Sequence, residues 1–99
     1  MSGAGGRRMP PRPRVLLADD HVRLREALRD LLVETGFEVV AESGDGADAV
    51  AIAAELEPDI VVIDLRMPVL NGLDATRLIR DARLATQVVV LSAFESPEL

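Results

Sequence analysis

The chain has no cysteine, no tryptophan, no tyrosine and no lysine. Without cysteine there can be no disulfide, thiolate metal centre or sulfur nucleophile. Two phenylalanines are the whole aromatic content, so any core must be built from Val, Leu, Ile and Ala. No apolar run approaches the ~18 residues of a membrane span and no signal-peptide core is present, which makes a soluble, cytoplasmic protein with no membrane partner the expectation. Basic residues are scarce beyond the N-terminus: Arg7, Arg8, Arg12 and Arg14 stand there without an acid, whereas the rest sets seven arginines against seventeen acids. So acidic a body argues against direct nucleic-acid binding by this segment.

What remains is 99 residues, 48% of them hydrophobic, enough for one packed domain. Residues 1–14 include six Gly or Pro and no apolar periodicity, and read as a disordered tail before a domain over 15–99. The most informative stretch is Ile60 to Gly72, IVVIDLRMPVLNG. Four apolar residues run directly into a carboxylate, Asp64, and turn residues follow, as expected of a buried strand emerging from a core. Around it, Val15–Ala18 reads as a first strand ending in Asp19-Asp20. A helix from Val22, with Leu24, Ala27, Leu28, Leu31 and Leu32 on one face, stops at Gly36. Arg23, Arg25, Glu26, Arg29 and Asp30 mostly fill its other face. Residues 37–42 alternate like an edge strand, and Ala47–Leu56 is an Ala-rich helix with Val50, Ala53 and Leu56 inward. A helix over Leu73–Ala82 is expected to bury Leu78, Ile79 and Ala82, and Val88–Leu91 is a fourth strand ending at Ser92.

Alternating strands and helices imply a parallel sheet with right-handed helical crossovers covering both faces. In such sheets chemistry collects beyond the carboxyl ends of the strands. Asp19, Asp20, Asp64 and Ser92 all fall at that edge. Gathered carboxylates repel one another, so the cluster implies a hard cation, and Mg²⁺ fits oxygen ligands best. An ionised Asp64 beside such an ion is placed to attack a phosphoryl group and form an acyl phosphate, with Ser92 donating a hydrogen bond to it. Taken singly, these residues have plainer readings. Asp19-Asp20 would cap the first helix, Asp64 and Ser92 would be cap or turn residues, His21 would be solvated or capping, and Asn71-Gly72 would be a turn. Their convergence on one edge favours a site.

Three segments, LLADDHVRLREAL, DIVVIDLRMPVLNGLDATRLIR and VVVLSAFE, resemble the receiver domain of two-component response regulators, above all receivers that precede a LuxR-type output domain. The resemblance runs from about Arg14 to Leu99. It implies a flavodoxin-like, doubly wound sheet of strand order 2-1-3-4, and a signalling module of a transcription regulator rather than an enzyme. The partner it implies is a sensor histidine kinase. By position, Asp64 would be the phosphoacceptor, Asp20 a direct Mg²⁺ ligand and Asp19 a ligand through water. The carbonyl of Arg66 would complete the protein ligands, and Ser92 would be the switch hydroxyl beside a small Ala93. Met67-Pro68 and Gly72 would frame the pocket, and Arg66 and Phe94 would tune the lifetime of the phosphoryl group.

The resemblance also implies a fifth strand led by a lysine, and a fifth helix. The sequence stops before both, with only Ser96-Pro97-Glu98 to open a fourth helix. Val88–Leu91 is then expected as an apolar edge open to receiver–receiver dimerisation or edge-strand pairing. Two further readings stand beside the signalling module. A Mg²⁺-dependent phosphatase of the haloacid-dehalogenase kind would need an acid two residues after Asp64, where Arg66 stands. An interaction fragment would pair with other receivers through the open edge. A dinucleotide-binding domain is excluded, because ADDHV has no glycine-rich turn.

Overall fold

A computed structural model of the chain describes residues 12–82 and 85–91. Its elements alternate strictly: β1 (Arg14–Ala18), α1 (Val22–Glu34), β2 (Glu38–Ser43), α2 (Gly46–Leu56), β3 (Ile60–Asp64), α3 (Gly72–Ala82) and β4 (Gln87–Leu91). The four strands are parallel and lie in the order β2-β1-β3-β4, as expected. The chain therefore steps outward from β1 to β2 and returns to the other side of β1 as β3. That reversal places the switch point between β1 and β3.

Each element follows from local chemistry. α1 stops where Gly36, at φ +105°, takes the left-handed position that a side chain resists; the Phe37 and Gly36 amides then donate to the Leu32 and Val33 carbonyls at 2.9 and 3.1 Å. α2 starts on Asp45, whose carboxylate accepts the Asp48 amide at 2.7 Å. β1 begins at Arg14 itself: its amide donates to Asp59 at 2.7 Å, and its guanidinium caps the end of α2 through the Leu56 and Glu57 carbonyls at 3.0 and 3.2 Å.

The core lies between the sheet and the α2–α3 layer. Leu16, Ala18, Val61 and Ile63 meet Ala49, Ala53, Met67, Ala75 and Ile79, all buried. Small residues on both helices bring their backbones close to the strands. This phase differs from the expected one in α3, where Gly72, Ala75 and Ile79 face inward and Leu78 and Ala82 are exposed. In α2, Ala49 joins Ala53 in the core, while Val50 and Leu56 are only half-buried.

On the opposite face α1 packs against β1 and β2, with Leu28 and Leu32 half-buried and none of its residues fully buried. Leu24, Ala27 and Leu31, expected inward, are exposed among the described residues, since the apolar stripe of α1 is wider than its contact with the sheet. Edge strand β2 is half-buried as expected, with a register slip between Val15 and Leu16 that carries Ser43 into pairing with Ala18.

The loop from β3 to α3 stores strain. Val69 has φ +71° and is 81% exposed, held in a three-residue turn that the Leu70 amide closes on the Pro68 carbonyl at 2.7 Å. A β-branched residue is costly there, and glycine is not. Val69→Gly is expected to stabilise the protein by about 0.5–1 kcal/mol, after allowing for the added freedom of the unfolded glycine. Urea denaturation would read this as a raised midpoint, and an unchanged or lower midpoint would show that the turn is unstrained.

Candidate functional site

The register of β1 against β3 builds the site. Ala18 pairs with Ile63, so Asp19, just past β1, and Asp64, the last residue of β3, stand side by side at the switch point. Asp19 is 1% exposed and fixed at its main chain: its amide donates to the Ser43 carbonyl at 2.9 Å, and its carbonyl accepts from Arg25 Nη1 at 2.9 Å. Arg25 also donates through Nε to Glu42 at 3.0 Å. This mostly buried guanidinium ties α1 and the end of β2 to the acidic loop, and does not lie on a solvated helix face as expected. The sequence carries no local signal for it, because its partners lie on other elements.

Neither acid of the pair caps α1. Its N-cap is His21, whose side chain makes no capping bond. The Asp19 carboxylate instead turns the loop by accepting the His21 amide at 2.8 Å. His21 Nδ1 stands 3.1 Å from Asp19 Oδ1 and 3.2 Å from Asp20 Oδ1. These contacts, the Asp19 hydrogen bond first and the Asp20 charge second, raise the imidazole pKa. Asp20 itself is exposed toward solvent.

Asp64 is fully buried, and among the described residues neither carboxylate oxygen has a hydrogen-bond partner of ordinary geometry. A capping or turn carboxylate would be bonded to amides, so that plainer reading fails. Burial, and then the charge of Asp19, push the Asp64 pKa up; the main-chain N–H of Arg66 and the charge of His21 pull more weakly the other way. Donor atoms of Asp19, Asp20, His21 and Asp64 all lie within 4.8 Å of one another. A buried carboxylate inside such a cluster suits a divalent cation, and Mg²⁺ fits its carboxylate oxygens.

Asp20, Leu65, Arg66, Met67, Pro68, Asn71 and Leu73 line an open groove of about 590 Å³ beside the acids. It is formed by the β3–α3 loop, which two glycines let pack tightly. Gly72 begins α3 directly against the Asp64 carbonyl and Leu65 Cα, and is not merely a turn residue. Gly46 begins α2 against the Leu70 carbonyl, and its amide donates to the Pro68 carbonyl at 3.2 Å. The role of Gly46 has no signature in the sequence; it follows from two loops meeting. Ser92, Ala93, Phe94 and the helix opening expected at Ser96-Pro97-Glu98 lie outside the described residues, as do residues 1–11.

A doubly wound parallel sheet with carboxylates beyond the two strands at its switch point defines a flavodoxin-like α/β domain of the acid-pocket class. The model of the response regulator receiver domain matches residues 15–99. The transcriptional regulatory protein PdtaR of Mycobacterium tuberculosis is 43% identical over 86 residues, which is 87% of this chain and 42% of PdtaR. The chain thus spans about two fifths of the length of that curated relative. A DNA-binding response regulator of the LuxR family from Staphylococcus aureus superposes with a TM-score of 0.79 at 31% identity, covering 86% of this chain and 72% of that one. A complex of CheX, CheY, BeF₃ and Mg²⁺ from Borrelia burgdorferi superposes with a TM-score of 0.80 at 26% identity, covering 91% and 67%. The chain belongs to the response regulator receiver domain family, whose members are signalling modules. Among the described residues, no helix is long and apolar enough to cross a membrane.

Proposed function

We propose that the domain accepts a phosphoryl group from a sensor histidine kinase onto Asp64, with Mg²⁺ held by Asp20, Asp64 and the Arg66 carbonyl and, through water, by Asp19. The observation that carries this reading is the Asp64 carboxylate, fully buried beside Asp19 and Asp20 with no hydrogen-bond partner of ordinary geometry among the described residues. The CheY complex containing BeF₃ and Mg²⁺ supports it by likeness of fold. When bound, Mg²⁺ supplies charge screening between these acids and a phosphoryl group.

The chain's own residues do the rest. An Asp64 oxygen attacks phosphorus, an O–P bond forms, and the N–P bond to the kinase imidazole breaks with its electron pair returning to that nitrogen. Burial of Asp64 excludes competing water from the nucleophile. The Asp19 main chain, held by Ser43 and Arg25, keeps the acid pair in register with it. Ser92, on sequence grounds alone, is the hydroxyl that bonds the new phosphoryl oxygens, and residues 15–99 are the unit that carries the reaction. The segment acts in the cytoplasm as part of a transcription regulator, turns over no external substrate, and does not itself touch nucleic acid.

Incubation with Mg²⁺ and acetyl phosphate tests this by intact mass. A phosphoryl adduct is expected on the native chain and not on Asp64→Asn. An adduct that survives the substitution, or steady turnover of phosphate esters, would overturn it.

A further inference from the structure

His21 is the one nitrogen donor in an otherwise carboxylate cluster. Its backbone is held by the bond from its amide to Asp19 Oδ1 at 2.8 Å, and its ring is turned onto the acids, with Nδ1 at 3.1 and 3.2 Å from Asp19 and Asp20. The ring has no capping duty in α1, and its side chain is 62% exposed, so it can shift without repacking the core. The donors of Asp20, His21 and Asp64 lie within 4.8 Å of one another. Opposite ligands across an octahedral ion stand about 4.2 Å apart, so a contraction of well under an ångström would close the set on one ion. The buried Asp64 oxygens, which have no hydrogen-bond partner of ordinary geometry among the described residues, independently favour a cation at the same place.

We propose that His21 Nδ1 is itself a metal ligand, joining the carboxylates of Asp20 and Asp64, and that the site thereby takes a first-row transition ion such as Mn²⁺ or Co²⁺ in preference to Mg²⁺. The inference rests on the acid-pocket reading above. Its chemistry lies in the donor atom. Imidazole nitrogen binds Co²⁺ and Zn²⁺ well and Mn²⁺ more weakly, whereas Mg²⁺ takes oxygen and gives up its waters reluctantly. Adding one nitrogen to two carboxylates therefore raises transition-ion affinity much more than Mg²⁺ affinity. A carboxylate-only pocket has no such bias beyond the ordinary order of the metals.

The test is direct binding of the chloride salts of Mg²⁺, Mn²⁺ and Co²⁺ to the full chain in mildly alkaline buffer. Calorimetry gives the affinities, and visible absorption gives the Co²⁺ ligand field. Three variants are compared with the native chain: His21→Ala, His21→Asn and Asp64→Asn. His21→Asn keeps a favoured N-cap residue while removing the ring, so loss of the fold cannot mimic loss of the ligand. The expected result is that either His21 variant narrows the preference for Co²⁺ and Mn²⁺ over Mg²⁺ about tenfold and shifts the Co²⁺ spectrum. If Asp64→Asn abolishes binding of all three ions while both His21 variants keep the native preference and spectrum, this inference is wrong and the acid pocket stands. If Asp64→Asn binds every ion as the native chain does, the pocket reading falls and the inference falls with it.

Discussion

Asp64→Asn is expected to make the metal-free protein more stable at neutral pH, by about 1–2 kcal/mol. The native side chain is a fully buried carboxylate with no hydrogen-bond partner of ordinary geometry among the described residues, facing the charge of Asp19. Asparagine has the same shape, carries no charge, and turns amide donors toward the neighbouring acids. The pH dependence has a fixed sign. Burial and the Asp19 charge raise the folded-state pKa of Asp64 above its ordinary value of 3.8. The unfolded chain therefore gives up this proton at lower pH than the folded one. The stability associated with the protonated group is fully present below the ordinary value and is lost as pH rises through the raised one. Asparagine has no such titration, so its advantage over the native chain should grow from acid to neutral pH and then level off. Urea denaturation in the presence of a chelator across that range measures it. Saturating Mg²⁺ should close the gap, since an ion at a hundred times its dissociation constant stabilises the native chain by about 2.7 kcal/mol and has lost its site in the variant. A variant no more stable than the native chain at any pH would mean that Asp64 has a partner in the folded protein.

The strand carrying Asp64 was legible because a buried parallel strand must be a short apolar run, and Ile60–Ile63 offers nothing else. Once β1 and β3 are neighbours, register alone brings Asp19 and Asp64 together. The same simplicity explains what was hidden. Helix faces were read from the bulkiest residues, which put Leu78 inward. The true face of α3 follows Gly72, Ala75 and Ile79, because close approach to the sheet selects small residues before large ones. Arg25 read as a surface charge, yet it spans Asp19 and Glu42, and no spacing within one helix reports a bond to two other elements. His21 read as solvated or capping, and it is exposed at the N-cap position, but a single histidine has no pattern to report its partners. Only coordinates show its ring between the two acids. The strain at Val69 is likewise invisible, since valine is not a residue that announces a turn.

Gly72→Ala should destabilise the fold although it adds a single methyl. By helix propensity the substitution is favourable, since alanine within a helix is better than glycine by about 1 kcal/mol. The contacts reverse that sign. A β-carbon at position 72 would collide with the Asp64 carbonyl oxygen and stand 2.8 Å from Leu65 Cα. Both are backbone atoms of the strand end that presents the acid, so no flexible side chain can yield. The Gly72 amide also donates to the Leu65 carbonyl at 2.8 Å, and that bond must stretch if α3 withdraws. A net loss of about 2–3 kcal/mol is expected from the overpacking. Gly46→Ala should behave alike, because its β-carbon would meet the Leu70 carbonyl from the other side of the same loop. Thermal or urea denaturation gives the size of the loss. Metal titration of whatever remains folded adds a second measure. If α3 moves outward to admit the methyl, it carries the end of β3 with it, and Asp64 should lose register with Asp19 and Asp20. Cation affinity is then expected to fall more steeply at position 72, which touches the acid's own backbone, than at position 46, which touches only the loop beyond it. Equal stability of native and Gly72→Ala chains would mean that α3 does not press on the strand end, and that the acid pocket is not held in place by it.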